Sequence, residues 1–144
     1  MSDQNSLPKR VVDTMMAKDY FSQWLGIEVL EADFGKSVLK MKIRKEMLNG
    51  FGIAHGGISF SFADSALAFA SNSHGQKSVS IETSISHTKS LLEGDEIIAT
   101  ATELSRSNKI AVYSIAVTNQ QNETVALFKG TVYRTSKHWF PEEA

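Results

Sequence analysis

The sequence contains no cysteine, which removes thiolate nucleophiles, thiolate metal sites and disulfide frameworks from consideration together. It also lacks an excess of either charge. Fifteen Lys and Arg stand against 16 Asp and Glu, for a formal net charge of -1, and the basic residues are scattered rather than gathered into the stripe a nucleic-acid binder needs. No apolar stretch reaches the roughly 18 to 20 residues that span a bilayer. The opening residues do not follow the basic-then-apolar order of a secretory signal. The expectation is a cytoplasmic protein with no nucleic-acid and no membrane partner. Catalytic signatures are missing too. The histidines at 55, 74, 87 and 138 show no metal-ligand spacing, no serine sits in a Gly-x-Ser-x-Gly elbow, and no P-loop or dinucleotide fingerprint occurs. No metal is expected.

What is present is a chain of 144 residues, enough for one domain with a substantial core and too few for a second. A single domain over 1–144 is expected. After a polar lead of about six residues, Val12, Met15, Met16, Tyr20 and Trp24 recur at three- and four-residue steps, which predicts an amphipathic helix near 8–24 with Gly26 as its stop. Strands follow around 25–33 and at 39–44, the second alternating apolar and basic residues. The run from His55 to Asn72 is apolar almost all round and too long for a strand, so it reads as a buried helix. Period-two segments then run over 78–88, 95–104, 109–118 and 124–135, separated by turn residues at Glu93-Gly94, Arg106-Ser-Asn108 and Asn119-Gln-Gln-Asn122. Short links favour antiparallel neighbours. The fold class expected is α+β, an antiparallel sheet of about six strands wrapped around one long central helix.

The chemistry concentrates on that helix. Between Glu46 and Lys77 the one formally charged side chain is Asp64, in the middle of Ile58-Ser-Phe-Ser-Phe-Ala-Asp-Ser-Ala-Leu-Ala-Phe-Ala70. Burying a carboxylate costs several kcal/mol, roughly, without compensation. It is a candidate general base or nucleophile; the plainer reading is a helix-surface acid. Upstream lies Asn49-Gly-Phe-Gly-Ile-Ala-His-Gly-Gly57. Gly56 and Gly57 leave open backbone amides at a helix start, able to hold an oxyanion, or they only permit a tight turn. Asn49 orients water or a carbonyl, or is the turn partner of Gly50. His55 either donates to a neighbouring carbonyl and fixes the loop or acts as a base, and the lack of a carboxylate within sequence reach favours the first. At about 1.5 Å of rise per residue, Gly56 and Asp64 lie roughly 12 Å apart along one helix. One reacting carbonyl cannot touch both, so joint catalysis implies a homodimer with two composite sites.

At these residues the sequence resembles the hotdog-fold acyl-CoA thioesterases, in particular the group typified by the phenylacetic-acid-degradation thioesterase. The likeness covers about 15–135. It rests on Leu48-Asn-Gly, His55-Gly-Gly, Phe62-Ala-Asp-Ser-Ala66, Ala70-Ser-Asn72 and Gly94-Asp95. It implies that the Gly56 amide polarises a thioester carbonyl while Asp64 of the partner subunit drives hydrolysis, with Asn49 holding substrate or water and His55 buttressing the loop. Ser80 matches the place of a water-positioning hydroxyl, although on strand parity it faces away from Val79 and Ile81. Arg106 and Lys109 flank a turn where such proteins present basic groups to coenzyme A phosphates, and a solvated hairpin is the alternative. Leu91-Leu92-Glu93 departs from the proline often found there in the family.

The function expected is therefore acyl-CoA hydrolysis to free acid and coenzyme A, with no cofactor and with tetramers of two dimers by analogy. The alternatives are a hydratase or dehydratase acting on acyl thioesters through His55 and Asp64, and a non-catalytic acyl-CoA-binding module. Gly57 and Phe60 are the further candidates for substrate contact. Phe51, Phe60 and Phe62 suit an aryl or medium-chain pocket, or simply the core.

Overall fold

The computed structural model of the chain describes residues 5–144, so the first four residues of the polar lead lie outside the described residues. The expected N-terminal helix over 8–24 is two helices, α1 (Leu7–Met16) and α2 (Tyr20–Leu25). Asp19 causes the break. Its carboxylate accepts from the Ser22 amide at 3.0 Å and from the Ser22 hydroxyl at 2.7 Å, which starts a new helix rather than continuing the old one. Gly26 ends α2 in the left-handed conformation at φ 76°. Residues 25–27 thus belong to a helix end, and the first strand begins later than expected, as β1 (Glu28–Asp33). The chain turns at Phe34 and Gly35 into β2 (Lys36–Lys42), earlier than the apolar-basic alternation suggested.

The buried helix α3 (Gly56–Asn72) precedes four strands: β3 (Gln76–His87), β4 (Glu96–Arg106), β5 (Ile110–Thr118) and β6 (Thr124–His138). The six strands form one sheet in the order β1-β2-β4-β5-β6-β3, every neighbouring pair antiparallel. Because β2 and β3 lie toward opposite edges, the segment joining them crosses the sheet, and α3 is that crossing. Phe62, Ala63, Ala66, Leu67, Phe69 and Ala70 of the helix are buried together with Leu39, Ala99, Ala101, Tyr113, Ile115 and Val132 of the strands. This is the hotdog arrangement.

Close approach is built in at Gly130 on β6. A methyl group there would sit 2.5 Å from Leu67 Cδ2, below any van der Waals separation. Among the described residues the outer edge of β3 has no strand partner, and Val79 and Ile81 on it are 55% and 58% exposed. Among the described residues no helix is long and apolar enough to cross a membrane.

Candidate active site

The loop before α3 is pinned on both sides, by Ala54 N–H on the Leu91 carbonyl and His55 N–H on the Met47 carbonyl, each at 2.8 Å. His55 is the N-cap of the helix. The sequence suggested a donor to a carbonyl; the ring instead accepts, its Nδ1 taking the Gly57 N–H at 2.9 Å. That engages the second glycine amide and leaves the first. The Gly56 N–H has no acceptor among the described residues, and it belongs to the terminus where the helix dipole favours negative charge.

Asn49 lies beside it. Its Oδ1 accepts from the Phe51 amide at 2.9 Å and its own N–H reaches the Ile53 carbonyl at 2.8 Å, so it shapes the turn. Both sequence readings of Asn49 are therefore compatible, because Nδ2 keeps its hydrogens free of any acceptor among the described residues. Asn49 and Gly56 line a cavity of about 390 Å³ together with Ser59, His87, Thr88 and Lys89. Sequence reasoning missed Ser59 and His87. The His87 Nδ1 lies 3.2 Å from Ser59 Oγ, and its Nε2 would lie 3.3 Å from a Cβ at position 56.

Asp64 is two helical turns further on and half-buried, in a small crevice of about 60 Å³ shared with Leu67, Ser71, Ser78 and Ser80. Burial pushes its carboxyl above the ordinary aspartate range, and the charge of Asp19 adds to the shift. Asp19 reaches this neighbourhood because Ser22, next to it on α2, hydrogen-bonds Ser65 on α3 at 2.8 Å. Ser80 shares the crevice but no hydrogen bond joins it to Asp64 among the described residues. The structure thus brings Asn49 to Gly56, and Ser80 to Asp64, and leaves the two pairs in separate depressions about 12 Å apart along the helix.

The remaining candidates are dispersed. Gly57 is exposed with its amide engaged by His55. Phe60 packs edge-to-face on Phe128 with ring centroids 5.3 Å apart. Arg106 lies 3.3 Å from Glu103. Lys109, across the β4–β5 turn, lines a cavity of about 400 Å³ with Gln76, Tyr133, Arg134 and His138. Arg134 and His138 carried no sequence signal of their own. They meet Lys109 through strand pairing, Arg134 N–H donating to the Lys109 carbonyl at 2.7 Å. No cluster of His, Cys, Asp and Glu suited to a metal occurs among the described residues.

The family model described as Thioesterase superfamily matches residues 51–126, a span that contains Gly56, Asp64, Ser80 and His87. The chain belongs to the thioesterase superfamily. Within it, the chain is 38% identical over 120 residues to the acyl-coenzyme A thioesterase PaaI of Escherichia coli K12, covering 83% of this chain and 86% of that protein. The solved structure of the E. coli PaaI protein from the phenylacetic acid degradation operon superimposes with a TM-score of 0.90 at 35% identity, over 92% of this chain and 96% of that one. A Streptococcus mutans UA159 protein solved with bound acetyl CoA gives a TM-score of 0.76 at 27% identity, over 78% of this chain and 90% of that one. Superfamily membership assigns the chain to the thioester hydrolases.

Proposed function

We propose that the protein hydrolyses acyl-CoA thioesters to a free acid and coenzyme A at composite sites between two copies of the chain. The observation that carries the reading is the unpaired Gly56 N–H facing a cavity, on the same helix as a carboxylate whose pKa burial raises. The likeness to a named acyl-coenzyme A thioesterase and to a structure holding acetyl CoA supplies the substrate class. The unpaired β3 edge with exposed Val79 and Ile81 gives a second copy a place to add. An antiparallel pairing of that edge sets the α3 head of one protomer toward the middle of its partner's helix. By analogy two such dimers form a tetramer.

In this scheme the thioester oxygen takes the Gly56 N–H, and Asn49 Nδ2 orients water or substrate. Asp64 of the partner subunit takes the proton from the attacking water, which Ser80 helps to place. Direct attack by the same carboxylate is the variant of this step, and labelled water in a single turnover distinguishes it. Collapse of the tetrahedral species returns the carbonyl and expels the thiolate. Gly57 and Phe60 flank the acyl group, while Arg106 and Lys109, with Arg134 and His138 behind, meet the coenzyme A phosphates. The chemistry uses water alone and needs no cofactor, and we place it in the cytoplasm. A hydratase would need His55 free to act with an acid, and the structure commits its Nδ1 to the Gly57 amide.

The test is thiol release across aryl, short-chain and long-chain acyl-CoAs, with Asp64→Asn alongside. Removing the charge while keeping the shape is expected to lower turnover by a factor of about 10²–10⁴ with the fold retained. Turnover unaltered in Asp64→Asn overturns the reading, and tight acyl-CoA binding with no thiol release from the wild-type protein favours a binding module.

A further inference from the structure

His87 is the last residue of β3, opposite Ala126 of β6, and it lines the cavity that Gly56 and Asn49 also line. Ser59 aims its ring. That hydroxyl lies 3.2 Å from the Gly56 carbonyl and 3.2 Å from His87 Nδ1. With its hydrogen turned to Nδ1, the ring carries its own N–H on Nε2. Nε2 faces Gly56, where a Cβ would stand 3.3 Å away. An oxygen accepting the Gly56 N–H sits about 2.9 Å from that amide nitrogen, in the cavity that His87 also lines. Glycine at position 56 leaves room for both.

We propose that His87 is a second hydrogen-bond donor, through Nε2–H, to the thioester carbonyl oxygen, completing with the Gly56 N–H a two-point oxyanion site, and that Ser59 is the positioning residue that orients it. The proposal rests on the thioesterase reading and adds a residue to it. The Nε2–H tautomer turns an N–H toward the oxygen on which negative charge develops, and the Ser59 hydroxyl on Nδ1 holds the ring in that tautomer. The other titratable side chain lining the cavity is Lys89, ion-paired to Glu123 at 2.9 Å.

The experiment is steady-state thiol release from acyl-CoA by the wild-type protein, His87→Phe, His87→Gln and Ser59→Ala, each with its thermal unfolding curve. In His87→Phe, kcat is expected to fall by roughly 10- to 100-fold, with KM little changed. His87→Gln keeps a neutral donor and is expected to recover part of the rate; it decides the matter if the phenylalanine variant does not fold. Ser59→Ala is expected to lower kcat less than either. Wild-type kcat in a folded His87 variant overturns the proposal alone. A wild-type protein that releases no thiol overturns the thioesterase reading, and the proposal with it.

Discussion

Replacing Gly56 with proline removes one amide hydrogen at the head of α3 and changes little else in the backbone. That N–H has no acceptor among the described residues, so no hydrogen bond of the fold is lost. Proline is accepted at the first helical position, where its fixed φ suits the helix. The residue before it, His55, already sits at φ -61° and ψ 138°, the extended conformation that a following proline requires. The new Cβ meets His87 Nε2 at 3.3 Å, a contact relieved by a few tenths of an ångström of side-chain movement. Folding stability should therefore change by no more than about 1 kcal/mol. Loss of an oxyanion donor, in contrast, costs about 2.7–4 kcal/mol of transition-state stabilisation, a factor of about 10²–10³ in kcat. Thiol release at saturating acyl-CoA, run beside urea unfolding, separates the two quantities. Gly56→Ala is the control, because it adds the same Cβ beside His87 and keeps the N–H, so it isolates the crowding of His87 and should retain more of the wild-type kcat than the proline variant. A Gly56→Pro protein that folds normally and turns over at the wild-type rate would refute the reasoning. Equal losses in the alanine and proline variants would assign the effect to crowding against His87.

Three further perturbations test the energetics. Burial first, then the charge of Asp19, raise the Asp64 pKa, so the folded protein holds that proton to higher pH than the unfolded chain. Stability then falls as pH rises between the unfolded and folded values, and Asp64→Asn should unfold at a higher temperature than wild type at neutral pH and at the same temperature in acid; no difference at either pH would contradict the burial. Burial alone would push the Glu103 carboxyl up, but hydrogen bonds from Tyr113 at 2.7 Å and His74 at 2.8 Å outweigh it and hold the group below its ordinary range. Its stabilisation is present above the unfolded pKa and lost as pH falls through the folded one, so Glu103→Gln should cost about 1–3 kcal/mol in urea unfolding at pH 7 and less in acid. A cost that does not depend on pH would argue against the charged acceptor. Gly130→Ala places a methyl 2.5 Å from Leu67 Cδ2 on a side chain that is 1% exposed, and should lower stability by about 1–3 kcal/mol, seen as a lower denaturant midpoint with the same slope. A neutral result would show that α3 slides off the sheet without penalty.

The central helix was legible because an apolar run of that length has one way to bury itself, and the expected 55–72 differs from Gly56–Asn72 by a residue. The strands of the C-terminal half were marked by alternation and turn chemistry to within a few positions. The break between α1 and α2 was not read, although Asp19 three residues before Ser22 is a helix-start signal. The spacing of Tyr20 and Trp24 concealed it, and these two side chains are 72% and 50% exposed, so that stripe is not the buried face it imitated. Parity was a poor guide at Ser80 for a related reason. On an edge strand residues 79–82 are all exposed, and the register with β6 shifts between Ser80 and Glu82. His87 and Ser59 are 28 positions apart and meet because the end of β3 passes the head of α3. Such a meeting depends on topology, which no local pattern records.

Mixing two inactive proteins tests the composite site most directly. Asp64→Asn keeps an intact Gly56 amide and Gly56→Pro keeps an intact Asp64, so a dimer containing one of each has one site with both functional groups and one with neither. Co-refolding equal amounts should yield half mixed dimers and restore about one quarter of the wild-type thiol-release rate from two nearly silent parents. A mixture no more active than its parents, with mixed dimers demonstrated, would contradict the claim that the amide of one protomer and the carboxylate of the other act on the same thioester.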